Sequence, residues 1–229
     1  MSNKAEIISK SPLFNGMPSD QLAELSRISA ERAFNKGEAI FSEGDEGHGF
    51  FIVAGGLIKI FKLSPDGKEQ ILHIIGPGEP FGEVAVFTGQ PFPANSGALI
   101  NSRLIFFPRK AFIDLVSKNP SLSLSMLGVL SRRLRQFTVQ IESLSLKEVP
   151  GRLATYLIYL SEEHPGESVV SLTISKGQLA SLLGTIPETL SRIFAKMSSQ
   201  GLIAVNGRQI QILDRSSLEA LAVEGKLAE

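Results

Sequence analysis

The sequence predicts an α+β protein: an N-terminal β-sandwich of jelly-roll type, one long helix, and a C-terminal winged helix-turn-helix. Three observations carry that prediction. Between residues 34 and 108, short apolar runs recur at roughly 8–12-residue spacing with glycines between them, the mark of antiparallel strands. After Pro108 the apolar period becomes helical, and the stretch from Pro120 to Leu146 contains no internal proline. Beyond residue 150, two helix starts follow one another within a few residues and a hairpin signal comes after them.

The chain has 229 residues, 43% of them hydrophobic and 20% charged, so it is ordinary globular material with enough length for one large domain or two modest ones. Cysteine is absent, which removes disulfides, thiolate zinc sites, cysteine-held iron–sulfur clusters and cysteine nucleophiles together. No uncharged apolar run approaches the roughly 18 residues of a membrane span, so no membrane partner and a cytoplasmic location are expected. The 23 basic and 23 acidic residues cancel, and total charge names no partner. Distribution is more informative. Between residues 171 and 210 four cations (Lys176, Arg192, Lys196, Arg208) face one acid (Glu188), while acids gather at Glu162, Glu163 and Glu167.

In order along the chain, the strand-like runs are 39–41, 50–53, 57–63, 70–75, 97–100 and 104–107. Ser64-Pro-Asp-Gly67 joins two of them as a turn, Pro65 presetting φ and Gly67 supplying a left-handed residue. Residues 109–118 fit a short amphipathic helix, and a second runs from Pro120 to about Leu146. Within it Leu127, Leu130, Leu134, Phe137, Ile141 and Leu144 are spaced 3, 4, 3, 4 and 3, the seam along which one helix packs on another. A dimer interface is expected there, the alternative being a stripe buried on the chain's own core. Arg132, Arg133 and Arg135 flank it and are expected to be solvated.

A hinge is expected around Val149-Pro150-Gly151, followed by a helix over 152–163 and a strand over 169–174. The predicted organisation is therefore 1–108 sandwich, 109–147 dimerisation helix region and 148–229 winged helix-turn-helix. Ser175 and Gln178 form a capping box that opens a helix at Lys176. Thr185 and Glu188 repeat the form, with Pro187 inside the first turn of the next helix. Asn206-Gly207 between two apolar runs predicts a hairpin, the wing.

In such a unit the second helix enters the DNA major groove. Glu188, Ser191 and Arg192 share one face by i, i+3 and i, i+4 spacing, with Leu190, Ile193 and Met197 opposite. Arg192 suits guanine O6 and N7, Glu188 the cytosine amino group, and Ser191 several base edges. Thr189, Ser175, Lys176 and Arg208 complete the candidate DNA contacts. Glu188 as a mere cap, or as a surface partner of Arg192, is the competing reading of those two residues.

With Phe34-Asn-Lys-Gly-Glu38, Phe81-Gly-Glu83, Ser102-Arg-Leu104 and Pro187-Glu-Thr-Leu-Ser-Arg192, the chain resembles the CRP/FNR transcription regulators over nearly its whole length. The resemblance implies a cyclic-nucleotide-binding-like effector domain, a homodimer, and double-stranded DNA bearing a TTGA-type inverted repeat read by Glu188, Ser191 and Arg192. RNA polymerase is a further implied partner if bound promoters are activated.

In the cyclic-AMP-binding members a glycine and glutamate like Gly82 and Glu83 hold the ribose, and an arginine–serine pair holds the phosphate. Here Phe92 and Pro93 stand at the latter positions, and no cation occurs between Lys68 and Arg103, so cyclic AMP is disfavoured. An FNR-type iron–sulfur cluster lacks its cysteines. Phe81, Phe87, Phe92, Phe106 and Phe107 point to an apolar cavity, with Gly82, Glu83, Phe81, Phe92 and Phe106 as the expected effector pocket. Leu144-Ser-Leu-Lys147 and the Pro-Glu-Thr-x-Ser-Arg ending look most like the branch responding to nitric oxide and nitrate respiration, which implies haem as sensor. His73 is the candidate axial ligand, ahead of His48 and His164.

An enzyme is not expected: three scattered histidines do not make a cupin metal site, and neither G-x-S-x-G nor H-E-x-x-H occurs. A ligand-binding module that regulates a partner protein is the remaining alternative, separable by an Arg192→Ala substitution.

Overall fold

The computed structural model describes residues 3–14, 16–162 and 168–226. Two compact units divide at Leu134 and Arg135. In the first, helices α1 (Asn3–Lys10) and α2 (Ser19–Ile28) precede strands β1 (Ala30–Phe34), β2 (Ala39–Phe41), β3 (Gly49–Gly55), β4 (Ile58–Leu63), β5 (Glu69–Ile75) and β6 (Pro80–Phe81). A one-and-a-half-turn helix α3 (Glu83–Thr88), strands β7 (Asn95–Ala98) and β8 (Ser102–Pro108), helix α4 (Arg109–Lys118) and the long helix α5 (Pro120–Leu146), whose residues from Arg135 onward belong to the second unit, follow. The second unit continues with α6 (Val149–Glu162), β9 (Val169–Ser171), α7 (Lys176–Leu182), α8 (Pro187–Ser199), β10 (Ile203–Asn206), β11 (Gln209–Ile212) and α9 (Arg215–Glu224).

The sandwich consists of two antiparallel sheets, ordered β1-β8-β3-β6 and β2-β7-β4-β5. The alternation of side chains along β3 and β8 sets up two cores. Phe51, Val53 and Leu104 enter the space between the sheets with Phe41, Ile58, Ile75, Phe81, Phe92 and Ala98. Their neighbours Phe50, Ile52, Ile105 and Phe107 point the other way, onto Ile8, Leu13, Phe14, Leu25, Phe112, Leu122, Met126 and Val129 of the helices. The Ser64–Gly67 turn is present, with Gly67 N–H donating to the Ser64 carbonyl at 2.9 Å and Gly67 at φ +81°. Helices α1 and α2, strands β1 and β6, and α3 lie outside the elements read from sequence.

Helix α5 has the predicted length and carries two apolar stripes. Leu122, Met126 and Val129 pack on the helix-side core, whereas Leu127, Leu134 and Ile141 are 58%, 68% and 65% exposed. The break after α5 falls at Lys147-Glu148, and Val149-Pro150-Gly151, expected as the hinge itself, is the first turn of α6. Proline is compatible with that turn because its missing N–H has no helical partner there. In the second unit β9, β10 and β11 form a three-stranded sheet ordered β10-β11-β9. Among the described residues no helix is long and apolar enough to cross a membrane.

Candidate DNA interface and effector compartment

Helix α7 opens as the sequence predicts. The Gln178 amide donates to Ser175 Oγ at 3.2 Å, and the Ser175 amide donates to Gln178 Oε1 at 2.8 Å. Helix α8 differs: its N-cap is Ile186, extended and without a side-chain cap bond, so Thr185 and Glu188 form no box. Pro187 at the first helical position explains the shift, since its fixed φ and missing donor make residue 186 the boundary. Glu188 is thereby not consumed as a cap. The described ion pairs contain no Glu188–Arg192 contact, and Arg192 Nη2 donates instead to Thr189 Oγ1 at 3.2 Å.

Leu190, Phe194 and Met197 form the buried face of α8, with Phe194 in the place expected for Ile193, which is half-buried. Glu188, Ser191 and Arg192 are exposed together on the opposite side, and Lys176 is exposed at the start of α7 with Ser175 half-buried beside it. In the wing, Asn206 pairs with Gln209, so the two-residue turn is Gly207-Arg208 and not Asn206-Gly207. Gly207 has φ +61° while no non-glycine residue among those described has positive φ, which is the II′ pattern with glycine first. Arg208 is thus the exposed side chain at the wing tip.

The second candidate site lies in the first unit. Gly82 caps α3 with φ +78°, and a Cβ there would sit 3.3 Å from the Phe92 ring and 3.4 Å from Phe41. Glu83, 4% exposed, accepts from Arg133 Nη1, and Arg133 Nη2 donates to the Pro80 carbonyl at 2.6 Å. His73 lies on β5 opposite Ile60. Burial, and then the positive charge of Arg133, push its pKa down to about 4, so the imidazole is neutral near pH 7.

The five phenylalanines expected around one cavity are distributed over different spaces. Phe107 belongs to the helix-side core, and Phe87 is exposed with its ring centroid 6.3 Å from Phe112. Phe81, Phe92 and Phe106 remain at the sandwich interior. Adjacent residues of a strand point to opposite faces, which separates Phe106 from Phe107.

A family match decides the identity. Residues 31–119 match the cyclic nucleotide-binding domain and residues 151–221 the Crp-like helix-turn-helix domain. Among relatives, the transcriptional activator Anr of Pseudomonas protegens is 32% identical across 90% of this chain and 86% of its own. The chain belongs to the Crp/Fnr family. It is a DNA-binding transcription regulator with an effector-binding domain. This Crp/Fnr regulator is also 29% identical to the CRP-like cAMP-activated global transcriptional regulator of Mycobacterium tuberculosis, over 93% of this chain and 97% of that one. A CRP/FNR family transcriptional regulator from Thermus thermophilus superposes with a TM-score of 0.70 at 27% identity, covering 86% of this chain and all of that structure.

The Crp/Fnr regulator holds one buried ion-pair residue that its sequence concealed. Arg133 was expected to be solvated with Arg132 and Arg135, yet it reaches into the sandwich. The signal was present: 122, 126, 129 and 133 continue one inward stripe at spacings of four, three and four. Haem meets a mixed fit here. The neutral His73 ring is the right type of donor, since a metal needs the imidazole lone pair. The aromatic wall, however, is filled by its own rings: Phe41 and Phe92 stack at 3.8 Å, and Phe51 stands 5.3 Å from Phe81 and 5.0 Å from Phe106. As packed, they leave no slot for a macrocycle. His48 is exposed, and His164, like Glu163 and Glu167, lies outside the described residues.

Proposed function

We propose that two copies of this regulator join along α5 and present their α8 helices to successive major grooves of an inverted-repeat duplex, about 34 Å apart. In this reading residues 1–108 hold the effector, 109–147 dimerise and 148–229 bind DNA. The observation that carries it is the exposure of Leu127, Leu134 and Ile141 on a helix whose other stripe is already buried in its own core. Phe137 and Leu144, about a third exposed, and half-buried Leu130 complete the seam. An exposed apolar stripe of this length is unfavourable in water, and a second copy supplies a matching one.

Glu188, Ser191 and Arg192 are the base-reading residues, with Thr189, Ser175, Lys176 and Arg208 positioned for the flanking backbone. A TTGA-type repeat is the proposed target, and RNA polymerase the further partner at promoters that are activated. Sedimentation at micromolar concentration tests this: dimers, and a complex of two chains per palindromic duplex, are expected. Lone chains even beside such DNA would overturn it.

The switch is a small effector between the sheets, acting where Arg133 ties α5 to Glu83; ligand shifts the population by its differential affinity for the two arrangements. Cyclic AMP is disfavoured because Phe92 and Pro93 stand where an arginine and a serine would hold the phosphate, and no cation lies between Lys68 and Arg103. A narrower reading, nitric oxide sensed through haem, is favoured by the neutral His73 and needs Phe41 and Phe92 to separate. A Soret band that survives gel filtration, and is lost in His73→Ala, supports that reading; its absence rejects it.

A further inference from the structure

Arg192 and Thr189, three residues apart on α8, are bonded to each other: Arg192 Nη2 donates to Thr189 Oγ1 at 3.2 Å. Glu188 is the stronger competitor for that guanidinium. It precedes Arg192 by four residues, the spacing and order in which a glutamate pairs best with a cation on a helix. The ion pairs among the described residues nevertheless do not include it. Arg192 is held by a neutral hydroxyl and not by a carboxylate.

The bond leaves both partners with capacity to spare. A guanidinium has five N–H donors, of which Thr189 takes one, and Nη2 itself keeps a second. A hydroxyl offers one donor and two lone pairs; Thr189 uses a lone pair, and no hydrogen bond of the described residues draws on its proton. Threonine is also stiff about its first side-chain torsion, and its backbone is fixed in the helix. An arginine tethered to such an anchor gives up less rotamer freedom when it docks than a free one does.

We propose that Thr189 is the positioning residue for Arg192: its oxygen holds the guanidinium clear of Glu188, while its unspent proton donates to a flanking DNA phosphate. In a TTGA half-site one G·C pair supplies both partners of the two charged side chains, guanine O6 and N7 for Arg192 and the cytosine amino group for Glu188. They can serve that base pair together only while they are kept off each other. The inference rests on the reading of α8 as the base-reading helix, and it names the residue that sets the fidelity of Arg192.

Anisotropy titration of the full chain tests it on a duplex carrying a TTGA inverted repeat and on the same duplex with 7-deazaguanine at the half-site guanine. The analogue lacks the N7 acceptor, so the ratio of the two affinities reports the Arg192 contact, and a phosphate contact of Thr189 cancels. Wild type is expected to bind the analogue about tenfold more weakly. Thr189→Val keeps the shape without the hydroxyl and is expected to bring that ratio to about twofold or less, whereas Thr189→Ser is expected to keep most of it. Adding Glu188→Gln to Thr189→Val removes the competing carboxylate and is expected to restore the ratio. A ratio unchanged in Thr189→Val, even with weaker binding to both duplexes, overturns the positioning role, as does failure of both the serine variant and the double variant to retain it. A wild-type protein that binds the repeat yet tolerates the analogue overturns the reading of Arg192 itself, and the proposal falls with it.

Discussion

Arg133 and Glu83, fifty residues apart in the chain, form an ion pair whose side chains are 16% and 5% exposed. The pair joins the long helix to the first turn of α3 in the sandwich. Because both groups are largely out of water, removing one strands the other. Arg133→Met is expected to cost about 3–5 kcal/mol by chemical denaturation. The double variant Arg133→Met, Glu83→Gln should recover a large part of that loss, since no buried charge is then unpaired. Additive losses would show that the two residues act independently.

Arg192 and Arg208 are expected to fail differently. Arg192→Ala, on the exposed face of α8, should weaken binding to a preferred duplex by about 1–3 kcal/mol and relax base preference at one position of each half-site. Arg208→Ala, at the wing tip, should weaken all duplexes alike and reduce the slope of log affinity against log salt by about one. Anisotropy titrations over a salt series with wild-type and single-mismatch duplexes distinguish the two outcomes. Equal, sequence-independent losses would place Arg192 on the phosphate backbone.

What was legible in the sequence was whatever a short window encodes. The Ser175–Gln178 box, the Ser64–Gly67 turn and the 120–146 helix depend on neighbours within four residues, and all appear where expected. The limits of such windows show at Pro187, where one fixed φ moved the helix boundary away from Thr185, and at Asn206, where cross-strand pairing with Gln209 shifted the turn by one residue. The inward stripe through 122, 126 and 129 reaches Arg133, but its partner Glu83 is fifty residues away, so the ion pair itself was not legible. Ser96, whose enclosed hydroxyl has no hydrogen-bond partner, escaped because its burial depends on the pairing of β7 with β4, which no local pattern announces.

His73 gives the unit a pH signature. Its folded pKa is lowered from 6.5 to about 4, so between those values the unfolded chain takes up a proton that the folded chain does not. Stability is therefore full above pH 6.5 and falls as pH drops toward 4, by at most about 3 kcal/mol from this group. His73→Gln, which does not titrate, should flatten that part of the curve. The measurement is urea unfolding of both proteins at pH 7.5, 6 and 5; parallel curves would mean that His73 is not held neutral.

The close approach of Gly151 and Gly225 makes the junction after α5 depend on the C-terminal turn. A Cβ on Gly151 would lie 2.5 Å from Gly225 Cα and 2.6 Å from its carbonyl oxygen, both backbone atoms that cannot swing aside. The same carbonyl accepts the Glu148 amide at 2.9 Å, immediately after the break in the long helix. Gly225 holds the position as the left-handed cap of α9, at φ +82°. Gly151→Ala must therefore displace the turn, at a cost of about 1–3 kcal/mol, and release the Glu148 amide with it. Hydrogen exchange should show faster exchange at Glu148 and at the end of α9, with β3 and β8 of the sandwich unchanged. Wild-type protection at Glu148 in the variant would mean that the backbone accommodates the methyl group and that the turn does not hold the junction.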